Sequence, residues 1–141
     1  MLAVNRTDIG MNNRTDIGMN SVPAAKEFSI HCAIADVVRR WCRPDWAWTH
    51  LPFGEHRSAI TGARLKRMGV NRGWPDFCFV GPNRQVVWLE LKRRGGRPTP
   101  EQAAIGEHLK TCGFIYLVCD SFDAAITALK THGILRVAIS M

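Results

Sequence analysis

Asp76, Glu90 and Lys92 are the residues whose types and spacing most directly suggest chemistry. Each acid lies in or beside an apolar stretch, Phe77 to Val80 or Gln85 to Leu91, and Gly81-Pro82-Asn83-Arg84 between them is turn chemistry, so the two stretches form a hairpin. With Val80 and Val86 as partners flanking the turn, Phe79 meets Val87, Phe77 meets Leu89, and Asp76 falls opposite Glu90. Alternation puts Trp88, Glu90 and Lys92 on one face and Val87, Leu89 and Leu91 in the core. Two carboxylates about 5 Å apart repel by roughly 3 kcal/mol at an effective dielectric of 20, against a total stability of about 5 to 15 kcal/mol. A hard divalent cation, Mg²⁺ or Mn²⁺, offsets that repulsion, because it takes carboxylate and carbonyl oxygens and keeps several waters. Lys92 would then orient or deprotonate a water, or neutralise charge on a phosphoryl oxygen. The competing account is an ordinary Glu90–Lys92 salt bridge, with Asp76 a turn residue after Pro75.

The surrounding charge bears on that choice. The chain carries a formal net charge of +7, and residues 61–100 hold all of the excess: nine cations (Arg64, Lys66, Arg67, Arg72, Arg84, Lys92, Arg93, Arg94 and Arg97) against two acids, Asp76 and Glu90. On charge alone, a solvated basic face and a grip on a phosphate backbone serve equally well. Two acids placed beside apolar strands within such a field favour a phosphodiester site.

Composition narrows the class. At 141 residues, 46% hydrophobic and 22% charged, the chain matches a single globular domain rather than a disordered or low-complexity protein. Five cysteines with no C-x-x-C pair fit neither a closed disulfide framework nor a zinc knuckle, so reduced thiols in a cytoplasmic setting are expected. The longest clean apolar run, Phe114 to Cys119, has six residues where a membrane helix needs about 20. The start of the chain lacks the pattern of a secretory signal. A soluble, cytoplasmic protein without a membrane partner is the expectation.

The elements that must position the acids follow from local signals. Asn5–Asn12 and Asn13–Asn20 are an identical eight-residue repeat, which reads as a flexible tail over residues 1–20, ahead of one domain over 21–141. Ser21 and Pro23 open a helix whose apolar positions Ile30, Ile34, Val37, Val38 and Trp41 follow a 3.6-residue period until Pro44. Trp46 to His50 reads as a short strand, and Ser58 to Met68 as a basic helix capped by Gly69. After the hairpin and a basic loop at Arg93 to Pro98, Thr99-Pro100-Glu101-Gln102 opens a helix with an N-cap, a first-turn proline and a capping-box glutamine, and Gly113 ends it. Phe114 to Cys119 is expected to be a buried strand, followed by a helix from Ser121 to about Thr131. The order predicts an α/β fold, a mixed sheet with helices on both faces.

Pro75-Asp76, thirteen intervening residues and Glu90-Leu91-Lys92 resemble the signature of the PD-(D/E)XK nuclease superfamily. More narrowly, Met68-Gly69-Val70, Gly73-Trp74-Pro75-Asp76, Leu89-Glu90-Leu91-Lys92-Arg93 and Thr99-Pro100-Glu101-Gln102, in this order, resemble the VRR-NUC family. That family includes the catalytic domain of the Fanconi-associated structure-specific nuclease and small stand-alone viral and bacterial proteins. The resemblance runs from about Glu27 to the last helix and implies a restriction-endonuclease-like core. It also implies that Asp76, Glu90 and the Leu91 carbonyl hold the metal, that Lys92 is the catalytic lysine, and that Glu27 and Gln102 correspond to a glutamate and a glutamine of the family's site. Glu27 fits a solvated helix position equally well, and Gln102 has its own capping role. His31 and His56 are secondary candidates for phosphate binding, and Trp74 for stacking on a base.

The expected function is a Mg²⁺- or Mn²⁺-dependent, structure-selective DNA endonuclease cutting flaps, splayed arms or four-way junctions. Arg64, Lys66, Arg67, Arg72, Arg93, Arg94 and Arg97 would grip the backbone, and a homodimer would suit a two-fold symmetric junction. The alternative is a non-catalytic nucleic-acid-binding module with a nuclease-like fold; an RNA substrate is a third reading.

Overall fold

The computed structural model describes residues 13–53 and 57–136. Its centre is the hairpin: β2 (Phe77–Val80) pairs antiparallel with β3 (Val86–Leu91), Phe77 facing Leu89 and Val80 facing Val86, the register that the apolar match predicts. Asn83 and Arg84 both take positive φ, 58° and 61°, the mirror-image turn whose twist suits the flanking strands.

Two further strands complete the sheet, in the order β1-β2-β3-β4. β1 (Ala47–His50) runs antiparallel to β2, with His50 opposite Phe77. β4 (Ile115–Cys119) runs parallel to β3, which requires a crossover, and α3 (Pro100–Thr111) supplies it. Thr99 and Gln102 form the expected capping box at the start of α3.

Helices cover both faces of the sheet, one completely and the other in part. On one, Phe77, Phe79, Val87, Leu89 and Leu91 pack against Ile34 and Val38 of α1 (Asn13–Trp41) and Ala125 and Leu129 of α4 (Phe122–Thr131). On the other, α3 lies over β3 and β4, so close that a Cβ added to Gly106 would sit 2.3 Å from the Tyr116 ring. α2 (Ala59–Arg67), capped by Ser58, contributes no buried residue and stands apart from the core. The mixed α/β architecture with helices on both faces is therefore as expected.

Two elements depart from expectation. α1 begins at Asn13, in the second repeat copy, and continues through Pro23 instead of starting at Ser21; residues 1–12 lie outside the described residues. β4 is an edge strand, not a buried one: among the described residues no strand pairs beyond it, and its Val118 is 42% exposed. An apolar run cannot by itself distinguish an edge strand from a central one.

The tight α3–β4 contact yields a test. Gly106→Ala should cost about 1 to 3 kcal/mol in urea unfolding through overpacking, and adding Tyr116→Val should recover part of the loss.

Candidate active site

The hairpin end and the first turn of α3 meet at Glu90. This side chain is only 2% exposed, although it is an acid on a strand. Its Oε1 accepts from Lys92 Nζ at 2.9 Å and from Gln102 Nε2 at 2.8 Å. Its Oε2 is buried and receives no hydrogen bond. Next to it, Asp76 Oδ2 accepts from the Leu91 amide at 2.7 Å, which ties the loop before β2 to the end of β3. The Asp76 backbone carbonyl accepts from the Leu51 amide at 2.7 Å and from His50 Nδ1 at 2.8 Å, so β1 also holds this residue in place.

Gly73 brings the loop in. It has a φ of +98°, and a Cβ there would lie 2.7 Å from the Glu101 carbonyl oxygen, so only glycine lets Trp74-Pro75-Asp76 press against the start of α3. Gln102 serves two purposes with one side chain: its Oε1 accepts from the Thr99 amide at 2.9 Å, capping α3, while its Nε2 reaches Glu90.

The electrostatics are those of crowded acids. Burial raises the Glu90 pKa to about 7, the Asp76 charge pushes it the same way, the Lys92 hydrogen bond and charge oppose, and Glu27 on α1 adds a further upward push. Burial, then the charges of Glu90, Asp76 and Glu107, raise Tyr116 to about 12. A buried carboxylate oxygen without a donor, beside a second carboxylate, fits a hard divalent cation, which takes oxygen ligands and would restore Glu90 to its charged form.

A groove of about 840 Å³ leads from α2 to Asp76. Lys66 and Arg72 line it, with Trp74, Phe53 and Gln102, and so does Arg57, which the sequence did not single out. Arg64, Arg67, Arg93, Arg94 and Arg97 are exposed and lie outside that lining. Trp74 packs at a tilt against Trp88, ring centres 5.4 Å apart. His56 lies outside the described residues. His31 sits on the other side of Asp76: ligand atoms of His31, His50 and Asp76 all fall within 4.8 Å of one another. His50 and Tyr116 went unnoticed in the sequence; the signal for His50 was its place opposite Phe77 if Trp46 to His50 pairs with the hairpin.

No protein-family model and no curated protein matches this sequence. Solved structures do. A "VRR_NUC domain protein" aligns at a TM-score of 0.56 and 22% identity, over 74% of this chain and 84% of that one. A "VRR_NUC domain" aligns at 0.51 and 20%, over 76% and 96%. The chain thus has the α/β fold of these VRR_NUC domain proteins. Among the described residues, no helix is long and apolar enough to cross a membrane.

The raised pKa of Glu90 makes stability pH-dependent. Below its ordinary 4.5 the group is protonated folded and unfolded alike; as pH climbs towards about 7 the unfolded chain ionises first, so metal-free stability falls across that window and then levels off. Glu90→Gln should flatten the profile and raise metal-free stability above pH 7 by about 2 to 3 kcal/mol, read from urea midpoints at several pH values.

Proposed function

We propose that this chain is a VRR-NUC-type, divalent-metal-dependent phosphodiesterase that cuts DNA at branched or flapped structures. The observation that carries the reading is Glu90: a buried acid with one oxygen lacking any donor, beside Asp76 and in contact with Lys92. A purely structural ion pair has no use for the second carboxylate or for the orphaned oxygen, since burying unpaired charge is destabilising.

In this reading Asp76 and Glu90, with the Leu91 carbonyl, hold Mg²⁺ or Mn²⁺, and Glu27 approaches from α1 as a further acid. The bound cation supplies Lewis-acid stabilisation of charge on the phosphoryl oxygens and makes water more acidic. Gln102 fixes the Glu90 carboxylate so that its free oxygen keeps its aim. Lys92 is the counter-ion of Glu90 in the metal-free site, and once a cation takes that role its ammonium is free to face the scissile phosphate and steady the attacking water. Arg57, Lys66 and Arg72 along the groove position the backbone, while Trp74 and Phe53 offer flat surfaces where a base is unstacked, as at a flap or junction. No side-chain pattern for reading bases in the major groove accompanies them, so DNA shape sets the preference.

Labelled duplex, 5′-flap, splayed-arm and four-way-junction DNA, each with Mg²⁺, Mn²⁺ or EDTA, tests this. Cutting should require metal and favour a branched substrate, and Lys92→Ala or Asp76→Asn should lower it by 100-fold or more while the protein stays folded. Tight binding without cutting in any metal would instead leave a binding module. Affinity should fall with salt at a log-log slope of about −0.9 per phosphate neutralised, and Lys66→Ala or Arg72→Ala should each reduce that slope by about one contact. A flat salt dependence would remove nucleic acid from the account.

A further inference from the structure

α2 is a helix that the core does not use. None of its nine residues is buried, and it is shorter than the roughly 12 to 15 residues that an isolated helix needs in water. Local bonds hold it instead. At one end the Ser58 hydroxyl accepts from the Thr61 amide at 3.2 Å. At the other, Gly69 has a φ of +99°, its amide donates to the Lys66 carbonyl at 3.0 Å, and the Val70 amide donates to the Leu65 carbonyl at 2.9 Å. A helix so capped and so little buried offers nearly all of its surface to other molecules.

That surface has two faces of different kinds. Ala59, Gly62, Ala63 and Lys66 recur at helical spacing, and all four line the groove that leads to Asp76. Ile60, Arg64, Arg67 and Met68 recur at the same spacing on the opposite side, outside the groove lining. Ile60 is 77% and Met68 78% exposed, with both arginines exposed beside them, and α2 holds no acid. Two large apolar side chains framed by guanidinium groups complement the end of a nucleic-acid duplex, which presents a flat apolar base pair between two phosphate chains.

We infer that α2 divides the strands at the branch of a DNA substrate. One strand runs along the face of Ala59 and Lys66 towards Asp76, the other lies along Arg64 and Arg67, and Ile60 and Met68 part the last base pair. An α-helix with its side chains is about 10 Å across, enough to keep two strands separate. Isoleucine and methionine are among the side chains that wedge between stacked bases, and the arginines neutralise the flanking phosphates. The substrate class is thereby a boundary between duplex and single strand, as in a splayed arm or a flap, rather than a continuous duplex. The inference rests on the reading that the groove takes a DNA strand, and not on cutting.

The full chain and splayed-arm DNA test it in EDTA, which keeps metal-dependent cutting off. The DNA carries the fluorescent base 2-aminopurine in the last pair before the branch, on either strand by turns. Wild type should raise the fluorescence there on at least one strand and leave a 2-aminopurine deep in the duplex unchanged. Ile60→Gln combined with Met68→Gln should abolish the rise and weaken splayed-arm binding about tenfold, the scale of one lost stacking contact. The same variant should change binding of a single-stranded oligonucleotide less than twofold, with circular dichroism checking the fold. A branch base that stays dark on both strands in the wild-type complex would overturn the inference, whether or not the variant folds. So would a folded variant that binds splayed arms like wild type, or one that loses single-stranded and branched DNA equally. Sedimentation that shows a wild-type dimer and a monomeric variant would overturn it as well, because the face would then belong to a second copy. Cleavage separates the two claims: a wild type that cuts with Mg²⁺ but leaves the branch base dark keeps the nuclease and loses the wedge. One that opens the branch yet cuts with no metal does the reverse.

Discussion

The buried carboxylate of Glu90 is the constraint on which the rest of the arrangement depends. A charged group in a protein interior is tolerated only when it is paired and hydrogen-bonded, and Glu90 is half provided for: Lys92 and Gln102 serve one oxygen, nothing serves the other, and Asp76 adds charge of the same sign. Packed apolar residues of similar volume would be more stable at this position. The proposed metal site rests on this crowding, because a bound cation would supply the positive charge that the acids lack.

Several fold features make sense as supports for that carboxylate. α3 is the crossover that parallel β3–β4 pairing demands, and its first turn is also the wall above Glu90. Gln102 caps the helix and grips the acid at once, so the helix start cannot shift without moving the carboxylate. Gly73 lets the loop carrying Asp76 touch the backbone of that same turn, and the Asp76 carboxylate closes the circuit on the Leu91 amide. Each link is a short hydrogen bond or a backbone contact, and Gln102 is held at two points, which is how a site holds its geometry.

Much of this was legible in the sequence, and for identifiable reasons. The hairpin register followed from matching apolar residues across a short turn, and the caps at Thr99 and Ser121 followed from local chemistry that side chains carry with them. What escaped was non-local. The near-complete burial of Glu90 comes from α3 packing across it, and the edge position of β4 comes from the order of strands, neither of which has a period or a motif. Arg57 enters the groove from ahead of the basic segment. His50 gains its importance only when β1 places it beside Asp76. The start of α1 was misplaced because Ser21 and Pro23 are good opening signals that the helix does not use.

The most direct test of the central claim is diffraction from crystals grown with Mn²⁺, recorded where manganese scatters anomalously. The account requires an anomalous peak within about 2.3 Å of Asp76 and of the Glu90 oxygen that has no donor, with Lys92 turned from Glu90 towards solvent. Crystals in which Glu90 and Lys92 remain paired and manganese is absent from both acids, at concentrations that saturate the protein in solution, would contradict it.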